Sequence, residues 1–137
     1  MTEPEETPIV PPEVLDRLRQ LSDEWRNVDA NERASFQTWF LKFCEALEVP
    51  GPVPPHDDYR FELPVKVVDR EGSESSNFID CWKTFHFALE AKATGEEKPE
   101  RALRRAFGQV RNYAAHVSGD SPPFLMVVDV PRMLIVW

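Results

Sequence analysis

Val14, Leu15, Leu18, Leu21, Trp25 and Val28 recur at intervals of three and four, the spacing that gathers side chains on one face of an α-helix. Pro11-Pro12, just ahead of them, suits the first helical positions, where a missing N–H costs nothing. A second stripe, Phe36, Trp39, Phe40, Phe43, Cys44 and Leu47, predicts a strongly amphipathic second helix. Asp29 and Glu32 ahead of it have the spacing of a capping box, and "VPGPVPPHDD" ends it.

From Tyr59 the period drops to two. "YRFELPVKVV" alternates and is rich in β-branched and aromatic residues, and "NFIDCW" and "FALEAKA" repeat that character. With "REGSESS" and "KTF" as turns between them, the three segments predict a meander. A third helix is expected from about Pro99 to Val117, with Leu103, Ala106, Phe107, Val110, Ala114 and Val117 on its core face. "FLMVVDV" then suits a strand covered on both sides, and "MLIVW" gives a last strand after a "PR" turn. Trp25, Trp39, Trp82 and Trp137 all fall on element faces, which points to core packing rather than a base-stacking platform.

At 137 residues the chain supports one hydrophobic core and is short for two. Residues 1–10, acidic and proline-rich, read as a disordered tail, leaving 11–137 as a single domain. No apolar run reaches membrane-spanning length, and the N-terminus lacks the basic start and apolar stretch of a secretory signal, so a cytosolic setting is expected. Cys44 and Cys81, the only cysteines, read as small core residues rather than a disulfide or metal pair. The final strand stops at Trp137 with no polar tail, which suggests the N-terminal domain of a longer protein.

The net charge of -8 opposes nucleic-acid binding, since phosphate contact normally leaves a basic footprint. Residues 1–30 hold eight acids against three arginines, however, so the body of the domain is only mildly acidic. Arg101, Arg104, Arg105 and Arg111 share about a third of the third helix's circumference, opposite its apolar face. A solvated face is the simplest reading, with a phosphate-contacting surface or an interface with the rest of a larger protein as the alternatives; Arg104 and Arg111 are taken as DNA-contact candidates. Lys83 and His86, flanking the hairpin turn, are two more. His56 and His116 have no ligand-like partners at useful spacing, and Gly-rich phosphate loops, zinc spacings and Gly-x-Ser-x-Gly elbows are missing from the sequence.

Asp80, Glu90 and Lys92 are charged residues inside otherwise apolar strands. Glu90 and Lys92, two apart, share a strand face, and Asp80 lies on the preceding strand of the same hairpin. Paired carboxylates suit Mg²⁺, which takes one or two and keeps several waters, and a lysine beside them would position an attacking water and offset phosphate charge. The alternative is a set of salt bridges on a half-exposed hairpin. Glu32, four residues before Phe36, continues the apolar stripe toward the sheet, where capping and metal binding are equally open to it. Gln109 and Tyr113, one turn apart, border the apolar face of the third helix.

Asp80-x9-Glu90-Ala91-Lys92, followed by Gln109-x3-Tyr113 on a helix, resembles the PD-(D/E)xK nuclease superfamily and its RecB-like branch. "ERASFQTWFLKFCEALEVPGP", "FIDCWKTFHFALEAKATG" and "LMVVDVPRMLIVW" are similar to the N-terminal nuclease domain of MmeI-like restriction enzymes, over about residues 31–137. Ile79 stands where the superfamily has proline. The resemblance implies an α/β, restriction-endonuclease-like fold with a mixed central sheet flanked by helices. It also implies a Mg²⁺-dependent DNA endonuclease (Mn²⁺ as a substitute), with Asp80 and Glu90 as ligands, Lys92 catalytic, Glu32 assisting from its helix, and Gln109 and Tyr113 in support. Expected partners are DNA and the methyltransferase and target-recognition domains of the same longer chain, in a prokaryotic cytoplasm, with dimerisation during cleavage. A nuclease fold kept only for DNA or protein docking is the rival reading.

Overall fold

The computed structural model describes residues 10–26, 32–92, 100–117, 122–129 and 133–137, with 32–34 and 133 as backbone. The elements follow the expected order: α1 (Pro12–Trp25), α2 (Glu32–Leu47), β1 (Tyr59–Val68), β2 (Glu74–Lys83), β3 (Phe87–Lys92), α3 (Glu100–Ala115), β4 (Phe124–Asp129) and β5 (Met133–Val136). The acidic tail through residue 9, Val28 and the Asp29 cap lie outside the described residues. β2 starts three residues earlier than "NFIDCW" suggested. The turn before it shrinks to Asp69–Ser73, because the Asp69 carboxylate accepts from the N–H groups of Glu71 and Ser73, both at 2.9 Å. Gly72 supplies the left-handed conformation there (φ 83°).

The five strands form one sheet in the order β1-β2-β3-β4-β5. Neighbours run antiparallel except β3 and β4, which are parallel and are joined through α3, as a parallel pair requires a long crossover. The chain is therefore an α/β protein with a mixed sheet flanked by three helices.

Each face of the sheet carries its own apolar cluster. On one side Leu21 of α1 and Phe36, Trp39, Phe40 and Cys44 of α2 pack on Tyr59, Cys81, Leu89, Ala91 and Val128. On the other, Leu103, Ala106, Val110 and Ala114 of α3 pack on Val65, Ile79, Trp82, Ala88 and Val127. Val127 and Val128 thus serve opposite faces, which is why β4 reads as a continuous apolar run. Both cysteines are buried and free. Three apolar expectations fail. Phe124, at the start of β4, is exposed. Leu15 of α1 is exposed, because that helix rests on α2 through Leu21 and a side-chain-to-carbonyl bond from Arg17 Nε to Ala46 O (2.9 Å). Trp137 is 42% exposed, stacked on Phe107 with ring centroids 4.2 Å apart at the sheet margin.

The β1–β2 pair holds the main irregularity. Tyr59 and Phe61 face α2, whereas Leu63, Val65 and Val67 face α3; on β2, Ile79 faces α3 and Cys81 faces α2. Side chains two apart on a regular strand share a face, so both strands roll over between these residues. The roll is centred on Glu62, which adopts φ 51°, a conformation costing a non-glycine residue about 1–2 kcal/mol. Asp80 stands opposite it.

Candidate active site

Asp80, Glu90 and Lys92 come together where β2 and β3 part. The β2–β3 ladder ends at Cys81 and Leu89, and one residue further the Asp80 carboxylate (Oδ2) accepts the main-chain N–H of Ala91 at 2.8 Å. Glu90 is buried at 5% exposure. Lys92 Nζ lies 3.9 Å from its Oε1, close enough for charge attraction but beyond hydrogen-bonding distance. The ion pair is the kind a salt-bridged hairpin would show, but the burial of Glu90 takes it off the solvent-facing side that such a ladder would occupy.

These three residues line a cavity of about 340 Å³, and Gln109 and Tyr113 of α3 line it too. The Gln109 amide donates to Tyr113 Oη at 2.8 Å, and Tyr113 Oη donates to Asn77 Oδ1 at 3.0 Å. The Asn77 amide donates to Ser75 Oγ, which fixes which end of its side chain faces the tyrosine. A relay of hydrogen bonds therefore ties the helix to β2 three residues before Asp80. Phe36 and Gln37 of α2 close the opposite wall. Glu32 begins α2, one turn before Phe36, but its side chain lies outside the described residues.

Sequence reasoning missed three residues near this place, Glu62, Asn77 and Asp129, and placed a fourth, Arg105, only among the arginines of the third helix. Glu62 and Asn77 line the cavity; the roll of β1 brings Glu62 there, and nothing in the alternation of "YRFELPVKVV" announces it. Asp129, 1% exposed, stands beside Lys92 in the β3–β4 register, and an acid inside "FLMVVDV" was a signal that could have been read. Arg105 borders an adjoining groove with Lys92 and Gln109.

The DNA-contact candidates lie elsewhere. Lys83 and His86 line a separate groove with Pro50, Val53, His56 and Asp58, at the opposite end of the hairpin, and the Lys83 ammonium sits over the Tyr59 ring at 4.9 Å. Arg104 and Arg111 are exposed on the outer side of α3.

Among the described residues no group of three or more His, Cys, Asp or Glu side chains is arranged as a metal cage. The cavity nevertheless offers hard oxygen donors from Asp80 and Glu90 on neighbouring strands, a donor set that fits a small divalent cation retaining most of its waters. Behind the site, burial pushes the Cys81 thiol well above its ordinary 9.0, with the neighbouring Cys44 and Asp80 adding to the effect. Burial also raises Cys44, against smaller opposing effects of the Tyr59 hydroxyl and Lys83. Both thiols are inert packing groups.

Among the described residues no helix is long and apolar enough to cross a membrane. No protein-family model matches the chain, and neither a curated protein nor a solved structure matches it.

Proposed function

We propose that this domain is a Mg²⁺-dependent DNA endonuclease that adds water across a phosphodiester bond. The observation that carries the reading is the meeting of Asp80, Glu90 and Lys92, with Gln109 and Tyr113, around one cavity at the point where β2 and β3 separate. Asp80 and Glu90 would hold the cation, which when bound supplies Lewis-acid polarisation of the phosphate and acidifies a water.

The chain's own groups do the rest. The 2.8 Å bond from Ala91 N–H fixes the rotamer of Asp80, so its carboxylate is held before any ligand arrives. Glu90, buried beside Val127 of β4 and 3.9 Å from the Lys92 ammonium, would offer its carboxylate to the cation out of bulk water, where charge attraction is stronger. Lys92, 30% exposed at its side chain, reaches from the sheet into the cavity, where its ammonium orients the attacking water and offsets charge growing on the phosphate. The Gln109–Tyr113–Asn77 relay holds the α3 wall at a set distance from the acids.

The same reading makes the chain the nuclease portion of a longer restriction-modification or phage-defence protein of the prokaryotic cytoplasm. Methyltransferase and target-recognition domains would then be its in-chain partners, with dimerisation during cleavage. The test is cleavage of supercoiled plasmid in Mg²⁺ or Mn²⁺ by the full chain, with Asp80→Asn alongside. Cutting by the wild type and its loss in a variant of unchanged melting temperature is the expected result. Equal cutting by both would move the chemistry away from Asp80, and no cutting by either, on plasmid bearing a cognate site, would leave a docking module.

A further inference from the structure

A second groove, of about 290 Å³, is lined by Lys92, Ala102, Arg105, Ala106 and Gln109. Lys92 and Gln109 also line the acidic cavity, so the two spaces adjoin and the groove continues from the site toward the N-terminal end of α3. Their charges differ. Among the described residues, the cavity sets Glu62, Asp80 and Glu90 against one lysine, whereas both charged residues lining the groove, Lys92 and Arg105, are cations. The alanines at 102 and 106 keep its floor low.

A polyanion drawn to the acids through a cation still needs positive charge beside them, because the chain as a whole carries -8 and offers no general attraction. Of the arginines on α3, Arg105 is the one that supplies it. It precedes Gln109 by one helical turn, about 6 Å along the axis and about 40° around it, whereas Arg104 and Arg111 point about 140–160° away.

We infer that Arg105 holds a phosphate of the substrate strand next to the one being cleaved, and that this strand leaves the site along the groove over Ala102 and Ala106. The inference rests on the nuclease reading. A guanidinium suits the role because its planar fork matches two phosphate oxygens at once.

The experiment is a fluorescence-anisotropy titration of a labelled DNA duplex by the full chain, in Ca²⁺ and at several salt concentrations, with plasmid cleavage in Mg²⁺ measured in parallel. Arg105→Ala should weaken duplex binding roughly tenfold and flatten the log K against log salt slope by about 1, and raise KM for cleavage more than it lowers kcat. Arg105→Lys should retain the slope, and Arg70→Ala, which removes the same charge in the β1–β2 turn, should leave affinity and slope unchanged. Wild-type binding by Arg105→Ala, or an equal loss in Arg104→Ala, would overturn the inference while leaving a cutting wild type as a nuclease. A wild type that neither binds nor cuts would overturn both.

Discussion

Asp80 and Ala91 are joined by a 2.8 Å hydrogen bond from main chain to carboxylate, one residue past the last β2–β3 pair, Cys81 and Leu89. A side chain thus takes a strand N–H just where the ladder stops. The carboxylate satisfies a donor that would otherwise be costly to leave unmet, and it marks the separation of the strands beside which the cavity opens. Structure and proposed chemistry converge on one residue, so substitutions there must be chosen to separate them.

Asp80→Asn keeps an oxygen to accept from Ala91 and should leave the melting temperature nearly unchanged, while metal-dependent cleavage falls by at least about 10²-fold. Asp80→Ala removes the acceptor as well and should cost a further 1–3 kcal/mol or so of folding stability. Thermal melts run beside plasmid assays separate the two effects. An Asp80→Asn variant that cuts normally would remove this carboxylate from the proposed mechanism.

Lys92 lies beside a buried carboxylate on its own strand and beside buried Asp129 on the next. Lys92→Met keeps most of the side chain's apolar bulk but not its charge, and should reduce cleavage by about 10²–10⁴-fold. Lys92→Arg should rescue little, since a planar guanidinium cannot take the place of a compact ammonium. A rate within a few-fold of wild type in Lys92→Met would exclude a catalytic ammonium at this position.

The order of elements was legible because each segment has one dominant period: Phe36 to Leu47 cycles on a helix, and within "FLMVVD" Val127 and Val128 are buried on opposite faces. The Asp80, Glu90 and Lys92 grouping was also legible, since alternation along β3 aligns two of them and the hairpin brings the third. What alternation could not give is the roll at Glu62. A period of two assigns Phe61 and Leu63 to one face, and the left-handed residue between them sends them to opposite clusters. The distance of Lys83 and His86 from the cavity was hidden for a related reason. Their nearness to Asp80 in sequence becomes distance in space, because an extended strand moves about 3.3 Å per residue toward the far end of the hairpin.

The Tyr113 hydroxyl is the middle of a three-residue relay, so its loss strands a donor on Gln109 and an acceptor on Asn77 together. Tyr113→Phe should cost about 1–2 kcal/mol and lower cleavage a few-fold. Asn77→Ala should cost a similar amount. Because the two share a bond, the double variant should lose less stability than the sum of the singles, by a coupling of about 1 kcal/mol. Strict additivity in urea unfolding would show that the Tyr113–Asn77 bond contributes nothing in solution.

The buried thiols set an alkaline limit on stability. Burial raises Cys81 and Cys44 above their ordinary 9.0, and burial with the nearby cysteines raises Tyr59 above its ordinary 10.0. In the unfolded chain these groups lose their protons near the ordinary values, whereas the folded protein keeps them, so the unfolded state binds fewer protons once the pH passes about 9. Stability is therefore whole below that pH and falls above it, by up to about 1.4 kcal/mol per pH unit for each group. Melting temperatures measured from pH 7.5 to 10.5 should hold steady and then drop. Cys81→Ala should start lower, since a 0% exposed side chain leaves a small cavity, but its decline should be shallower because one of the three retained protons is gone. A Cys81→Ala curve parallel to the wild type through pH 10 would mean that the thiol is not what the folded state protects.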